Sequence, residues 1–490
     1  MKPENSNSSV KQITLLGLGP GDPQLLTRQA WQILEDAPEI YLRTRFHPVV
    51  DHLPAGQIHS FDYLYEQADS FEIVYEQIVL EVLSLGQRPQ GVIYAVPGHP
   101  FVAEATSPEI ARRARHQGFE VRVVEGVSFL EPAFTALGTD PYPQMALVDA
   151  LEIAASHVPP FPPSMPALIA QIHSQLVASD VKLTLMAHYP DDHPVTLLHA
   201  LGTPDELIDQ VPLFEIDRNH QIGLLTALYI PPLGPDTSFE SFQEVIAHLR
   251  APDGCPWDRK QTHLSLRSYL LEEAYEALTA LDAKDTLGMA EEFGDLLLQI
   301  VLHAQIATEA GEFTMIDILK TVNNKIVRRH PHVFGDVVIQ DADGVLVNWE
   351  RLKAEERATN GKAQSSLLDG VALALPALVQ SNEYLKRAAR VGFDWPDIRA
   401  VLEKLDEELA EVHAAESQDR EFEIGDVLFA IANLARWYDI DPESALRAAN
   451  QRFRKRFSFI ENAAREQGRM VSDLSLNEML VLWKDAKLAT

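Results

Sequence analysis

The sequence predicts a multidomain chain: an α/β domain at the N-terminus followed by two all-α helical domains. Three observations carry this reading. Strand-like apolar stretches alternate with helix-period stretches over residues 11–124. A device of acidic pairs on amphipathic helices occurs twice in the second half. Between the two regimes stands PPLGPDTS (231–238), a Pro- and Gly-rich boundary.

A chain of 490 residues has room for about two to four domains, and 46% hydrophobic residues is ordinary for a globular protein. Lysine and arginine number 41 against 72 acidic residues, a net charge of −31. That charge repels nucleic-acid backbones and anionic membranes, so neither is an expected partner. It does not repel a nucleotide delivered as its magnesium complex. Cys255 is the single cysteine, which excludes intramolecular disulfides and cysteine-rich metal sites. No apolar run reaches membrane-spanning length, and MKPENSNSSVKQ lacks the apolar core of a signal peptide. The expectation is a cytoplasmic protein with a disordered leader over residues 1–10.

The α/β part opens with a buried strand KQITLL (11–16), the turn GLGPGD (17–22) and a helix QLLTRQAWQILED (24–36). Strand, glycine-rich turn and helix make a place where backbone N–H groups can approach a ligand, although the spacing is not that of a dinucleotide fingerprint. Strand EIYLRT (39–44), helix 70–86, strand GVIYAV (91–96), the sharp turn PGHP (97–100), helix 101–118 and strand FEVRVV (119–124) continue the alternation. In such sheets ligands sit beyond the carboxyl ends of strands, which is where both sharp turns fall. Further strands are predicted at MALVDA (145–150), PALIAQI (166–172), VKLTLMAH (181–188) and GLLTALYIPP (223–232). HVPPFPPSMP (157–166) reads as a loop. The domains expected are 11–232, a linker at 233–238, and helical domains at 239–360 and 361–490, with NGKAQSS (360–366) as the break between the last two.

The helical half is organised around Leu271–Ile300, which holds eight acidic residues and one basic residue. Glu273 and Glu276 stand three apart, as do Glu292 and Asp295, so each pair shares a helix face. Leu271, Ala274, Leu278 and Leu281, then Phe293, Leu296, Leu297, Ile300 and Val301, supply an apolar stripe, and the run Leu296–Val301 reads as buried. Two helices joined around Asp282–Gly288 would bring four carboxylates together beside a core. Charges that close repel, and a hard cation such as Mg²⁺ removes the conflict. An EExxE alone reads as a solvated helix face; recurrence argues otherwise. Glu407-Glu408-Leu409-Ala410-Glu411 followed by Glu423 and Asp426 repeats the device. Lys325 and Arg329 recur as Arg452 and Arg456, four apart in both, and Trp349 and Trp483 each begin W-x-x-x-K. Acids to hold metal, bases to meet phosphates and a Trp face for a base suggest a nucleotide polyphosphate site. His303, His330 and His332 are rejected as metal ligands, since the acids already explain a harder ion.

Both copies resemble the MazG family of nucleoside triphosphate pyrophosphohydrolases, whose signature is EExxE with ExxD on the next helix. CPWDRKQTH (255–263), RRHPHVFGD (328–336), NWERLKAEER (348–357) and VGFDWPD (391–397) add to the likeness, which covers roughly 239–490. The resemblance implies an all-α fold that forms a homodimer, and hydrolysis of the α–β phosphoanhydride to a nucleoside monophosphate and pyrophosphate. Carried over, it implies Glu272, Glu273, Glu276, Glu292 and Asp295 as the first metal site and Glu407, Glu408, Glu411, Glu423 and Asp426 as the second. It also implies Arg452, Arg456 and Trp483 as nucleotide contacts, with Lys325, Arg329 and Trp349 in the same places of the first copy. Glutamates not on the metal, among Glu273, Glu276, Glu408 and Glu411, are the expected general bases.

Residues 11–232 resemble the tetrapyrrole methylase family, two-lobed α/β methyltransferases with S-adenosyl-L-methionine in the cleft. GLGPGD, YAVPGHPFVAEAT (94–106), EGVSF (125–129), LTLMAHYPDD (183–192) and LTALYIPP (225–232) carry the likeness. It implies cofactor contacts at Gly19, Pro20, Gly21, Asp22, Gly98, His99, Pro100 and Ser128. His99 stands where many members have Asp, so the resemblance carries donor binding further than methyl transfer. A methyltransferase with an accessory helical half and a non-catalytic nucleotide sensor are the competing readings.

Overall fold

The computed structural model describes residues 11–489 apart from 55, 69, 340, 342–343, 346–347, 350, 353–354 and 357–365. The leader at 1–10 and the break expected at 360–366, save Ser366, lie outside the described residues. The chain divides into two compact units, one up to His248 and one from Leu249.

The first unit holds two five-stranded sheets. Strands β1 (Gln12–Gly17), β2 (Glu39–Leu42), β3 (Gln57–Ser60), β4 (Val92–Val96) and β5 (Glu120–Val124) form an all-parallel sheet in the order β3-β2-β4-β1-β5. Helices α1 (Arg28–Asp36), α2 (Asp62–Gln67), α3 (Phe71–Leu85) and α4 (Thr106–His116) lie between its strands. Ile13, Leu15 and Leu16 of β1 are buried because both its faces are covered: Ile13 and Leu15 pack with α3 and α4, and Leu16, with Leu18 just past the strand, packs with α1. The second sheet is mixed, in the order β6-β7-β10-β8-β9. β6 (Ala146–Asp149) and β7 (Ala167–Ala170) are parallel, while β10 (Thr226–Ile230) runs antiparallel to β7 and β8 (Pro194–His199), and β9 (Leu207–Pro212) antiparallel to β8. α5 (Leu130–Leu137), α6 (Ala150–Ala154) and α7 (Gln175–Leu185) accompany it.

Three readings of the sequence are corrected here. Residues 181–188 were expected as a strand, but Lys182 to Leu185 close α7. The apolar alternation of Val181, Leu183 and Leu185 misleads, for Leu183 is 64% exposed, and the buried set Val177, Ala178, Val181, Thr184, Leu185 follows the helical period. The helix expected at 101–118 begins only at Thr106. The Glu104 carboxylate folds forward and accepts from the Thr106 and Ser107 amides at 2.9 and 3.2 Å, fixing the start. Glu104 is buried and ion-paired with Arg43. β3, β8 and β9 escaped the sequence reading altogether. The expected linker, 233–238, is tied to this first unit: the Leu233 amide donates to the Pro163 carbonyl at 2.9 Å and Ser164 Oγ to Ser238 Oγ at 2.8 Å.

Arg43→Met leaves Glu104 buried without its cation. It is expected to destabilise the first unit by about 3–5 kcal/mol in urea unfolding.

The second unit is helical among its described residues. α8 (Phe239–Arg250) enters it, followed by α9 (Arg267–Ala283), α10 (Thr286–Ala310), α11 (Met315–Arg329) and α12 (Pro331–Phe334), then α13 (Ala377–Arg390), α14 (Ile398–Ala414), α15 (Arg420–Trp437), α16 (Pro442–Glu466) and α17 (Leu476–Ala489). α9 packs along α10 and α14 along α15, each pair an antiparallel hairpin with a short connection. The first turn is tighter than expected: Lys284 takes the left-handed conformation that ends α9, and Asp285 caps α10 through the Gly288 amide. Arg447 on α16 reaches Asp282 on α9 at 2.9 Å, an ion pair between the two halves of this unit.

Candidate metal and nucleotide site

Each hairpin sets its acids face to face. Glu273 and Glu276 on α9 meet Glu292 on α10, and one oxygen of each lies within 4.8 Å of the others. Glu408 on α14 meets Glu423 and Asp426 on α15 within the same limit. The two clusters draw on the same four positions of the repeat but each leaves one out, Asp295 in the first and Glu411 in the second. Glu272 and Glu407 stand outside both. Asp295 and Glu411 still act through space. Burial raises the Glu273 pKa, and Asp295 leads the neighbouring charges that add to it. Burial and then Glu408 raise Glu411, and burial and Glu276 raise Glu292.

The apolar run Leu296–Val301 is not buried throughout: Val301 is, but Leu297 and Ile300 are exposed. Leu271, Leu278, Leu281 and Phe293 are exposed as well. The apolar stripe read from the sequence is therefore only half used within the chain.

The donor set suits a hard cation. Oxygens around an octahedral Mg²⁺ stand about 4.2 Å apart when opposite and about 3.0 Å when adjacent, so triads already within 4.8 Å close onto an ion by side-chain movement of about 2 Å or less. Carboxylates that repel one another gain most from such an ion.

The basic and aromatic residues form matching pairs in both halves. The Arg329 guanidinium lies over Trp349, 5.5 Å from the ring centroid, and Arg456 over Trp483 at 5.7 Å. Arg329 is also held by Glu356 at 2.6 Å. Trp483 packs on Ile460, Ala464 and Leu474, so it serves a core as well as a face. Lys325 and Arg452 are exposed. His330 stacks edge-on to Trp349 and His303 hydrogen-bonds His263, and neither joins a metal cluster.

In the first unit the two sharp turns meet each other. Gly19 N donates to Gly98 O at 3.2 Å and Gly98 N to Gly19 O at 2.7 Å, so those amides are spent on the fold. Asp22 caps the following turn through the Gln24 amide, His99 Nδ1 accepts from the Phe101 amide, and Ser128 donates to Glu131. Pro20 has no N–H; Gly21, at φ 150°, packs against Pro48 and Thr203. This unit also holds a cavity of about 540 Å³ that sequence reasoning missed, and none of the expected cofactor contacts is among its lining residues. His47, His199, Gln221, Leu224 and Leu225 line it. His47 Nδ1 and His199 Nε2 are buried there without a hydrogen-bond partner. No motif signals this, since its residues come from separate stretches of chain around 46–48, 199–200, 205–207 and 221–226.

Burial pushes His47 down to about 4, and the Arg43 charge acts the same way against the Pro20 and Gly19 carbonyls. A histidine kept neutral in the fold favours folding fully above its ordinary pKa near 6.5, and loses that as pH falls through 6.5 toward 4. The loss is ~3 kcal/mol by pH 4. In urea unfolding, His47→Gln should therefore lose less stability than wild type between pH 7 and pH 4.5.

The site defines a class: acidic helical hairpins with cation-capped tryptophans, in a chain that also carries a methylase-like α/β unit. The family model of Tetrapyrrole (Corrin/Porphyrin) Methylases matches residues 12–217, and that of the MazG nucleotide pyrophosphohydrolase domain matches residues 261–334. The uncharacterized protein YabN of Bacillus subtilis (strain 168) is 45% identical over 487 residues, 97% of this chain and 98% of that protein. The nucleoside triphosphate pyrophosphohydrolase/pyrophosphatase MazG of Thermotoga maritima is 44% identical over 250 residues, 51% of this chain and 95% of its own. The nucleoside triphosphate pyrophosphohydrolase of Escherichia coli (strain K12) is 41% identical over 250 residues, 50% of this chain and 94% of its own. The chain belongs to the MazG nucleotide pyrophosphohydrolase family, as a member with a tetrapyrrole methylase-like domain ahead of the MazG half. No helix among the described residues is long and apolar enough to cross a membrane.

Proposed function

We propose that this chain hydrolyses nucleoside triphosphates to the monophosphate and pyrophosphate at its carboxylate clusters. The observation that carries this is the convergence of three carboxylates on each hairpin of a MazG-family chain. Glu273, Glu276 and Glu292 would hold Mg²⁺ in the first half, and Glu408, Glu423 and Asp426 in the second. When bound, Mg²⁺ supplies charge neutralisation at the phosphate oxygens and lowers the pKa of a water. Glu411, outside its cluster and raised in pKa by burial and Glu408, would accept a proton from the attacking water. Arg456 and Arg452 on α16 would steady the phosphates, and Trp483 would offer its face to the base. The exposed apolar residues of α9, α10 and α15 fit a homodimer that completes the bundle. Removal of surplus or non-canonical nucleotides in the cytoplasm is the role this chemistry suits.

For the first unit, the cavity lined by His47 and His199 is of the size that takes a nucleoside-like ligand, and S-adenosyl-L-methionine is the one its family suggests. Calorimetric titration with that donor should show binding weakened about tenfold or more by His199→Phe, which removes a buried ring nitrogen.

The hydrolase reading is tested by pyrophosphate release from a panel of nucleoside triphosphates, with Mg²⁺ and with chelator. Release that needs the metal supports it, and folded protein that releases none overturns it.

A further inference from the structure

A polar cluster of the first unit belongs neither to the sharp turns nor to the lining of the cavity. It gathers at the carboxyl ends of three neighbouring strands. Arg43 follows β2, Tyr65 lies on α2 just past β3, Tyr75 stands in the second turn of α3, and Glu104 comes after the turn that ends β4. That edge of a parallel sheet is where ligands sit. Glu104 takes Arg43 Nη1, but Arg43 Nε is buried with no hydrogen-bond partner, and 23% of the side chain is exposed. Burial pushes the Tyr65 hydroxyl up to about 12 and raises that of Tyr75, in each case against the Arg43 charge, so both stay protonated donors at neutral pH. Neither hydroxyl is hydrogen-bonded among the described residues, whereas Tyr94 beside them meets Thr106 at 2.8 Å. The two rings flank Phe71, with centroids 6.3 Å away for Tyr65 and 6.1 Å for Tyr75, and Phe71 is 61% exposed. The surrounding charge is acidic. Arg43 is already neutralised by Glu104, Asp62 acts on Tyr65, and Asp149, at the end of β6 in the other sheet, acts on Tyr75.

We propose that this cluster binds a neutral flat ring bearing carbonyl oxygens, the chemistry of a keto nucleobase such as uracil or hypoxanthine. The ring stacks on Phe71, and a ring oxygen accepts from the Tyr65 and Tyr75 hydroxyls beside Arg43. Unmet donors select an acceptor, and Glu104, Asp62 and Asp149 disfavour an anion. The site is distinct from the cavity lined by His47 and His199, although the Arg43 charge reaches His47 as well.

The test is calorimetric titration of the full chain with uridine, inosine and adenosine, with a chelator present to keep divalent ions off the carboxylate clusters. Uridine and inosine should bind, and adenosine, which has no ring carbonyl, about tenfold or more weakly. Combining Tyr65→Phe with Tyr75→Phe should weaken uridine about tenfold or more at an unchanged thermal midpoint, since those hydroxyls hold nothing in the protein. Phe71→Ala, at an exposed position, should weaken all three nucleosides about fivefold or more and serves if the tyrosine variant fails to fold. Benzenehexacarboxylate, a flat polyanion, should not displace uridine. Displacement by it, adenosine binding as well as uridine, uridine binding that these variants leave intact, or no nucleoside binding at all overturns the inference. Binding of S-adenosyl-L-methionine that the tyrosine variant also abolishes would merge this site with the cavity and overturn it too.

Discussion

Pyrophosphate release falls at least about 100-fold when Glu292→Gln and Glu423→Gln are combined, on every nucleoside triphosphate tried. These two glutamates occupy the same place on the second helix of each hairpin, and both belong to the clusters. Glutamine keeps the shape and removes the charge. In the first half, Glu292 already sits among like charges that raise its pKa, so neutralising it relieves repulsion and should not lower the thermal midpoint. Loss of activity with an unchanged or raised midpoint separates a chemical role from a structural one. The single variants then apportion the work: an equal partial loss from each means both halves turn over, and a full loss from one names the working half. A double variant that retains activity would refute the assignment of the clusters.

The second large effect is expected far from the acids. A Cβ at Gly126 would lie 2.3 Å from the Gly98 carbonyl oxygen and 2.9 Å from Gly17 backbone atoms. Every obstacle is backbone, which has no rotamer to give way. Gly126→Ala should cost ~3 kcal/mol or more, lowering the thermal midpoint of the first unit by about 6–12 °C. Gly118→Ala is the comparison. It has a left-handed φ of +75° and nothing within 4 Å, so only backbone strain of about 1–2 kcal/mol applies. A midpoint drop no larger at Gly126 than at Gly118 would contradict the close crossing.

The elements most legible in the sequence are those whose periodicity answers to one environment. β1 carries buried Ile13, Leu15 and Leu16 close together because helices cover both its faces, and α9 and α14 announce themselves by acids three apart. β8 and β9 were missed because an antiparallel edge pair mixes exposed Leu207 and Ile208 with polar neighbours, and no helix follows to frame it. α7 was misread because a few alternating apolar residues satisfy two periods at once. At the clusters, residue types were legible but membership was not: whether Asp295 or Glu276 completes a triad depends on how two helices rotate against each other. The cavity by His47 and His199 had no local signal, because four separate stretches of chain build it.

The ion pair between Asp282 and Arg447 gives the two similar halves of the helical unit a fixed order. By the register of the repeat, the counterpart of Asp282 is Ser417 and that of Arg447 is Lys320. The reciprocal contact would set a hydroxyl against an ammonium, so the bond is made in one direction only. The two halves, alike in motif, are therefore not interchangeable at this contact. A chain with the halves transposed would keep every motif of the repeat and lose this contact.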